Sequence, residues 1–381
     1  MNMNRKWIER MRLVSLWLCM FLLPVNAQNV SIGGLKYYLY PESHEAVIDN
    51  GNTWAGELNL PSEVNYNGEA YTVNGMGHLA FSDCTELTKV RIPKTIDHVV
   101  HHVLSDDPHI TGAVSDEYMN PFMRCSSLES IEVDKDNPSM KSVDGVLFSK
   151  DGTGLYCYPA GLKVERYVVP QGVTWVGGDA FSYNEHIVSV DLPSTVERLC
   201  VGAFSYCKKL EEISLPENLI RLEAFMFRDC SSLKSIEIPA KVAKLGEQVF
   251  YGCSSLRIID LPESVKNIGS FTFFGCKLDA LVIRGLLDSQ SVGKYLFSNL
   301  KESSTVYTLT LQVYSFKQLF AGTVLSLEHY LGPQETVNID IPVSSNVGVA
   351  PAFFDLQGRH IQGEPQGKGV YVRGGRKYVK K

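Results

Sequence analysis

The chain has 381 residues, with 36 Lys or Arg against 42 Asp or Glu and a formal charge of −6. Acids in excess and no basic cluster argue against nucleic acid as a partner. After the first 27 residues, no stretch reaches the ~18 to 20 uninterrupted apolar residues that a membrane-spanning helix needs; the best run, Phe316 to Leu327, is broken by Lys317 and Gln318.

In chain order, Arg5, Lys6, Arg10 and Arg12 precede an apolar run from Leu13 to Leu23, and Pro24-Val25-Asn26-Ala27 follows. This is the layout of an export signal over 1–27. Cys19 lies inside the run without small residues before it, so it does not fit a lipid-attachment site. Removing the segment leaves 32 bases against 41 acids, a balance of −9. Residues 28–70 are predicted to form a small β cap.

From 71 to 285 the chain repeats. Phe181, Phe204, Phe227, Phe250 and Phe273 recur every 23 residues, and a period of that size marks a solenoid of stacked supersecondary units. The same letters return around each Phe: Cys207, Leu210, Ile213, Leu215 and Pro216; Cys230, Leu233, Ile236, Ile238 and Pro239; Cys253, Leu256, Ile259, Leu261 and Pro262. The step of three from Phe204 to Cys207 to Leu210 predicts a short helical or 3₁₀ turn. Alternation then takes over, with Ile213 and Leu215 inward and Glu212 and Ser214 outward, which predicts a short strand closed by Pro216. A second apolar pair, such as Val242 with Leu245, precedes a corner at Gly246 or Gly269.

Seven such strands are predicted, starting near Leu87, Leu128, Ile187, Leu210, Leu233, Leu256 and Leu278. Insertions interrupt the array near 98–120, a polar loop, and near 137–165, where alternation around Lys150-Asp151-Gly152-Thr153 predicts a hairpin. Residues 286–345 read as a C-terminal cap and 346–381 as a short β tail. The fold class predicted is a β-rich, right-handed leucine-rich-repeat solenoid with small β caps.

This pattern resembles the BspA-like, or treponemal-type, leucine-rich repeats, over roughly Tyr71 to Gly285. The entry Tyr66-Asn67-Gly68-Glu69-Ala70-Tyr71-Thr72-Val73 before Gly77-His78-Leu79-Ala80-Phe81 is similar to the usual start of such arrays. The resemblance implies secretion or surface display in a bacterium, often of the Bacteroides group, and adhesion to host proteins or other cells. Residues Phe353 to Lys380 look like the last strands of a type IX secretion sorting tail; a plain β-hairpin is the alternative.

Eight cysteines follow the export signal, and Cys84, Cys125, Cys207, Cys230, Cys253 and Cys276 share one repeat position. An even count in an exported chain can mean disulfides. Thiols that all point the same way on successive turns suit packing as compact hydrophobes better. His98, His101, His102 and His109 with Asp106 and Asp107 match no metal spacing and read as a solvated loop. Asp134, Asp136, Asn137 and Asp144 lack the Gly and terminal Glu of a calcium loop, and Pro138 breaks it. No nucleophile elbow, zinc helix, phosphate loop or dinucleotide fingerprint occurs, so the chain reads as non-enzymatic, with no cofactor and no metal.

The outward positions carry the functional reading. Glu132, Asp191, Glu212, Glu237 and Asp260 line one strand series, and Trp175, Arg198, Arg221 and Lys244 line the opposite one. Either is a candidate partner face, because stacked repeats make extended binding surfaces; the alternative is that both are solvated faces with repeat-averaged charge. The expected partner is a protein or glycan on host matrix or other cells. A structural scaffold without a ligand is the main alternative, and a glycan-binding module or hydrolase a remoter one.

Overall fold

A computed structural model of the chain describes residues 28–100, 120–287, 292–296, 305–308, 323–326, 353–355, 360–361, 369–373 and 376–380. They fall into two compact units, Met1–Lys209 with Phe225–Arg228 and Leu210–Ala224 with Asp229–Lys381.

The first unit starts with a six-stranded sheet. Gln28–Ile32, Leu35–Tyr40, Glu45–Ile48, Glu69–Gly77 and Glu63–Tyr66 lie side by side in that order, with His98–Val100 also on Glu69–Gly77. Leu35, Tyr37 and Leu39 alternate inward and are buried, as a half-covered strand requires. A parallel strand precedes the predicted array. Gly56–Asn59 already pairs in parallel with Leu87–Ile92, which pairs with Ser130–Val133. In Leu87–Ile92 the aliphatic Leu87, Val90 and Ile92 are sealed, whereas Lys89 and Arg91 face out.

The hairpin predicted around Lys150 forms, with Val146–Ser149 antiparallel to Gly154–Cys157. It is built into the stack and does not stand outside it. Gly154–Cys157 pairs in parallel with Trp175–Val176, and that in turn with Arg198–Leu199. Gly154 is required there: a Cβ on it would lie 1.9 Å from the Trp175 ring. Tyr158 takes the aromatic place of this turn, stacked on Phe181 at 4.8 Å. Phe181 stacks on Phe204 at 5.0 Å and Phe204 on Phe227 at 5.7 Å, and all four rings are buried.

In the second unit Arg221–Leu222, Lys244–Leu245 and Asn267–Ile268 pair in parallel. So do Ile258–Leu261, Ala280–Ile283, Thr305–Thr308 and Thr323–Ser326. Phe250 stacks on Phe273 at 6.1 Å. Gly269 serves close approach, not a turn angle, since a Cβ would meet the Gly246 main chain at 2.4 Å. The segment from Leu233, expected to be a strand, pairs with no strand among the described residues. One main-chain bond, Lys234 N–H to the Glu211 carbonyl at 3.2 Å, ties its start, too little for a ladder. The C-terminal strands Phe353–Asp355, His360–Ile361, Gly369–Arg373 and Arg376–Lys380 make an antiparallel sheet of their own.

The expected helical or 3₁₀ turns are absent among the described residues. Hydrogen-bonded turns replace them: Ser205 N–H bonds the Gly202 carbonyl and Cys207 N–H the Phe204 carbonyl. The reason is a left-handed residue two places after each Phe of the stack: Asp83, Arg124, Tyr183, Tyr206, Asp229, Gly252 and Gly275 have φ of 65, 64, 61, 59, 57, 73 and 77°. A positive φ cannot continue a right-handed helix, so the chain turns a corner there.

All eight described cysteines are free and buried. Their thiols do not merely fill space. Cys125, Cys207 and Cys276 donate through Sγ to the carbonyls of Phe81, Phe181 and Phe250, at 3.0, 3.1 and 3.0 Å. Burial pushes the Cys207 and Cys276 thiols up to about 12, which keeps them protonated as donors.

Candidate binding surface

Strands with a sealed inner face and a register fixed from turn to turn hold their outward side chains in rows. Each predicted site residue sits in such a row except Glu237, which lies on the unpaired segment after Leu233. In the first unit Glu132 faces Arg91 across the parallel pair. Lys89 and Arg91 both reach it, Arg91 through Nε at 2.9 Å, while Nη1 of Arg91 holds Glu57 at 2.8 Å and Asn59 at 3.0 Å. Hydrogen bonds from Lys89 first, then Arg91, hold the Glu132 carboxyl below its ordinary value. Asp191 is bridged by Arg166 at 2.8 Å.

In the second unit Asp260 receives a two-pronged contact from Arg284, Nε at 2.7 Å and Nη2 at 2.6 Å, the strongest geometry for a guanidinium and a carboxylate. Glu212 and Glu237 are exposed, and among the described residues no ion pair engages either. The strand series that reads as acidic in sequence is therefore mixed: three carboxylates are matched by bases from neighbouring turns and two stand bare. The pairs themselves add little stability, since exposed ion pairs are worth about 0–1 kcal/mol each.

The opposite series divides in the same way. Trp175 and Arg198 are half-buried partners in one parallel register, and Tyr156 meets Trp175 edge to face at 5.2 Å. In the second unit Arg221 and Lys244 are exposed neighbours, with Arg221 turned toward Glu223 at 2.6 Å.

The other candidate chemistry resolves locally. Asn137 is fully buried and structural: its amide donates to the carbonyls of Pro93 and Ile96, and its oxygen accepts from Ser139 and Met140 N–H. Of the histidine cluster only His98 is described, bonded to Asp97 at 2.6 Å; His101, His102, His109, Asp106 and Asp107 lie outside the described residues. Among the described residues no group of three or more His, Cys, Asp or Glu is placed to hold a metal ion. No helix there is long and apolar enough to cross a membrane. A cleft of about 370 Å³ in the first unit is lined by Ile32, Leu35, Tyr37, Trp54, Glu57 and Val64 among others. Its one carboxylate, Glu57, is the one held by Arg91.

Sequence reasoning missed the charge matching, because Arg91 and Glu132 are 41 residues apart. It also missed a row of half-exposed rings on the turns, Tyr183 on Tyr206 at 4.4 Å in the first unit and Tyr251 on Phe274 at 5.0 Å in the second. A signal existed, since Tyr183 and Tyr206 obey the 23-residue period.

A family profile described as "BspA type Leucine rich repeat region" matches the chain in six copies, over residues 70–151, 174–304 and 221–340. No curated protein matches the sequence. Among solved structures the chain is similar to the pneumococcal vaccine antigen PcpA, at 18% identity and a TM-score of 0.49, covering 79% of this chain and 98% of that one. It is similar to a leucine-rich repeat protein from Bacteroides ovatus at 20% identity, TM-score 0.44, with 78% and 67% covered. A leucine-rich cell surface protein from Faecalibacterium prausnitzii is similar at 18% identity, TM-score 0.39, with 66% and 95% covered.

Proposed function

Because the chain belongs to the family of BspA-type leucine-rich repeat proteins, we propose that it is an exported, non-enzymatic surface protein that binds a macromolecular partner through its stacked strands, with adhesion to host or other cells as its role. Repeats of this kind suggest a surface or protein-interaction role. The observation that carries the reading is the split within each strand. Inward positions are aliphatic and sealed, such as Val90, Ile131 and Ile259, whereas outward positions hold chemically different side chains at fixed spacing. A wall needs only the first feature; a recognition surface needs the second.

The bare carboxylates Glu212 and Glu237 are the best anchor candidates of the second unit, because among the described residues no ion pair engages them. Reversal of Glu212→Lys with Glu237→Lys is expected to abolish capture of the partner from host matrix and neighbouring bacterial cells, and added salt to weaken capture by the unaltered chain. The rival face is tested by Arg221→Glu with Lys244→Glu. If the unaltered chain retains no protein or glycan, the ligand-free scaffold replaces this reading. Export is expected to leave Gln28 as the new N-terminus, read by intact mass. Surface display that persists after deletion of Phe353 to Lys381 would remove the sorting role proposed for the tail.

A further inference from the structure

Seven turns built on a Phe carry a residue with positive φ two places after that ring, and four of them use residues that accept it readily: Asp83, Asp229, Gly252 and Gly275. Three turns instead carry Arg124, Tyr183 and Tyr206 there, at φ 64, 61 and 59°. Bulky side chains in this region are unfavourable, and an outlier kept in several repeats points to use. The three are not scattered. Tyr183 and Tyr206 stack with planes 9° apart at 4.4 Å, Arg124 covers the Tyr183 ring at 4.9 Å, and Arg228 covers the Tyr206 ring at 5.5 Å and Phe225 at 5.8 Å. All belong to the first unit.

We propose that this Arg124–Tyr183–Tyr206–Arg228 stack is a second binding surface, on the turn edge and separate from the strand rows, that holds a sulfated polysaccharide. With ring faces covered by one another and by the guanidiniums, the stack offers phenol and guanidinium hydrogen-bond donors in a row. The contact distances along the stack put the two guanidinium carbons at most about 15 Å apart, some three turns at ~4.8 Å each. That suits a chain that repeats its anionic groups better than a single small anion. Guanidiniums match the oxygens of such anions two at a time. The Arg124 contact to Asp83, 3.3 Å and exposed on both sides, is weak enough for an anion to displace. Lys208 lies two residues from Tyr206, against Glu185 at 3.6 Å. A peptide is the poorer fit, because peptide recognition uses a free sheet edge or an apolar groove, and these residues form turns.

The test is retention of the mature full chain on immobilised dextran sulfate, with neutral dextran and poly-glutamate as parallel arms. Retention on dextran sulfate alone is expected. Tyr183→Gly with Tyr206→Gly should weaken it at least tenfold without lowering Tm, because Gly252 and Gly275 fill the same place in other turns. Arg124→Gln should weaken it at least threefold, and this variant carries the test alone if the double glycine variant fails to fold. The Glu212→Lys, Glu237→Lys chain should bind dextran sulfate fully, so loss of the strand-face partner and loss of the polysaccharide are read apart. Three results overturn the proposal: no retention of the unaltered chain, undiminished retention of the folded double glycine variant, or equal retention on poly-glutamate, which would make the surface one for acidic peptides.

Discussion

Two neighbouring turns, one built on Phe181 and the next on Phe204, share their buried ring, the left-handed Tyr after it and the small Ala before it, yet they are anchored differently. Three places after the ring the first has Asn184 and the second Cys207. The Cys207 thiol makes one weak bond, to the Phe181 carbonyl at 3.1 Å. Asn184 makes four: its amide donates to the carbonyls of Pro159 and Leu162, and its oxygen accepts from the His186 and Ile187 N–H groups. The Phe204 turn sits on another regular Phe turn, that of Phe181, so main-chain groups meet by stacking alone and a small thiol suffices. The Phe181 turn sits on the hairpin-bearing segment ending near Leu162, whose path leaves carbonyls facing inward. The His186 and Ile187 N–H groups depend on the Asn184 oxygen, and a buried N–H without an acceptor is costly. Asn supplies two donors and one acceptor in the space of a Cys. Asn137, beside the same interruption, does the same work.

The largest expected effect leaves the comparison intact and tests the ring both turns share. Phe181→Ala and Phe204→Ala should each cost ~3–5 kcal/mol through the cavity left in the stack, seen as a fall in the urea midpoint. A marked difference between the two would mean that the rings are not equivalent. Next, Asn184→Cys makes the first turn look like the second. It takes the acceptor from the His186 and Ile187 N–H groups, while the Pro159 and Leu162 carbonyls keep the Leu162 and Val164 N–H groups, so a loss of about 2–4 kcal/mol is expected. If the variant is as stable as the parent, the hairpin segment needs no amide anchor.

The turns also differ two places before the ring, where the first has Asp179 and the second Gly202. Burial pushes the Asp179 carboxyl up to about 6, with the Ser205 hydrogen bond at 3.2 Å and the charge of Arg124 opposing it. A carboxyl raised above its unfolded value of 3.8 binds its proton more tightly in the folded state. It therefore lowers stability above about pH 6 and stops doing so as the pH falls below about 4. Asp179→Asn keeps an acceptor for Ser205 and a residue that tolerates φ 53°. It should raise stability on the order of 1–3 kcal/mol at pH 8 and by nothing at pH 3.5, in paired urea titrations. A gain of equal size at both pH values would remove ionisation as the cause.

These differences show what could be read from letters alone. The ring stack was legible because Phe181, Phe204, Phe227, Phe250 and Phe273 are identical and evenly spaced. Tyr158, 23 residues before Phe181, was passed over because it is not a Phe and its hairpin breaks the motif. The step of three points to a helical turn, yet Asp83, Asp229, Gly252 and Gly275 at one repeat position are residues that favour a left-handed corner. Charges on the strand rows were legible one by one. Their cancellation was not, because Arg91 with Glu132 and Arg166 with Asp191 meet only once the register is known. The bare pair Glu212 and Glu237 emerges only by subtraction.

The smallest effect is the sharpest test of how little a regular turn needs. The Phe181 carbonyl that accepts the Cys207 thiol also accepts the Asn184 N–H at 3.3 Å. Cys207→Ala therefore leaves no orphaned group, only a void near the size of a methyl group, and should cost about 1 kcal/mol. Cys207→Ser keeps the bond through a better donor but buries an oxygen whose remaining lone pairs lose water. The two terms nearly offset, so Ser should lie within about 1 kcal/mol of the parent. A thiol pushed up to about 12 should also resist iodoacetamide in the native protein at pH 8, and reducing agent should not shift the urea midpoint. A loss at Cys207→Ala as large as at Asn184→Cys would mean that the thiol is an anchor too and that the two turns are held alike.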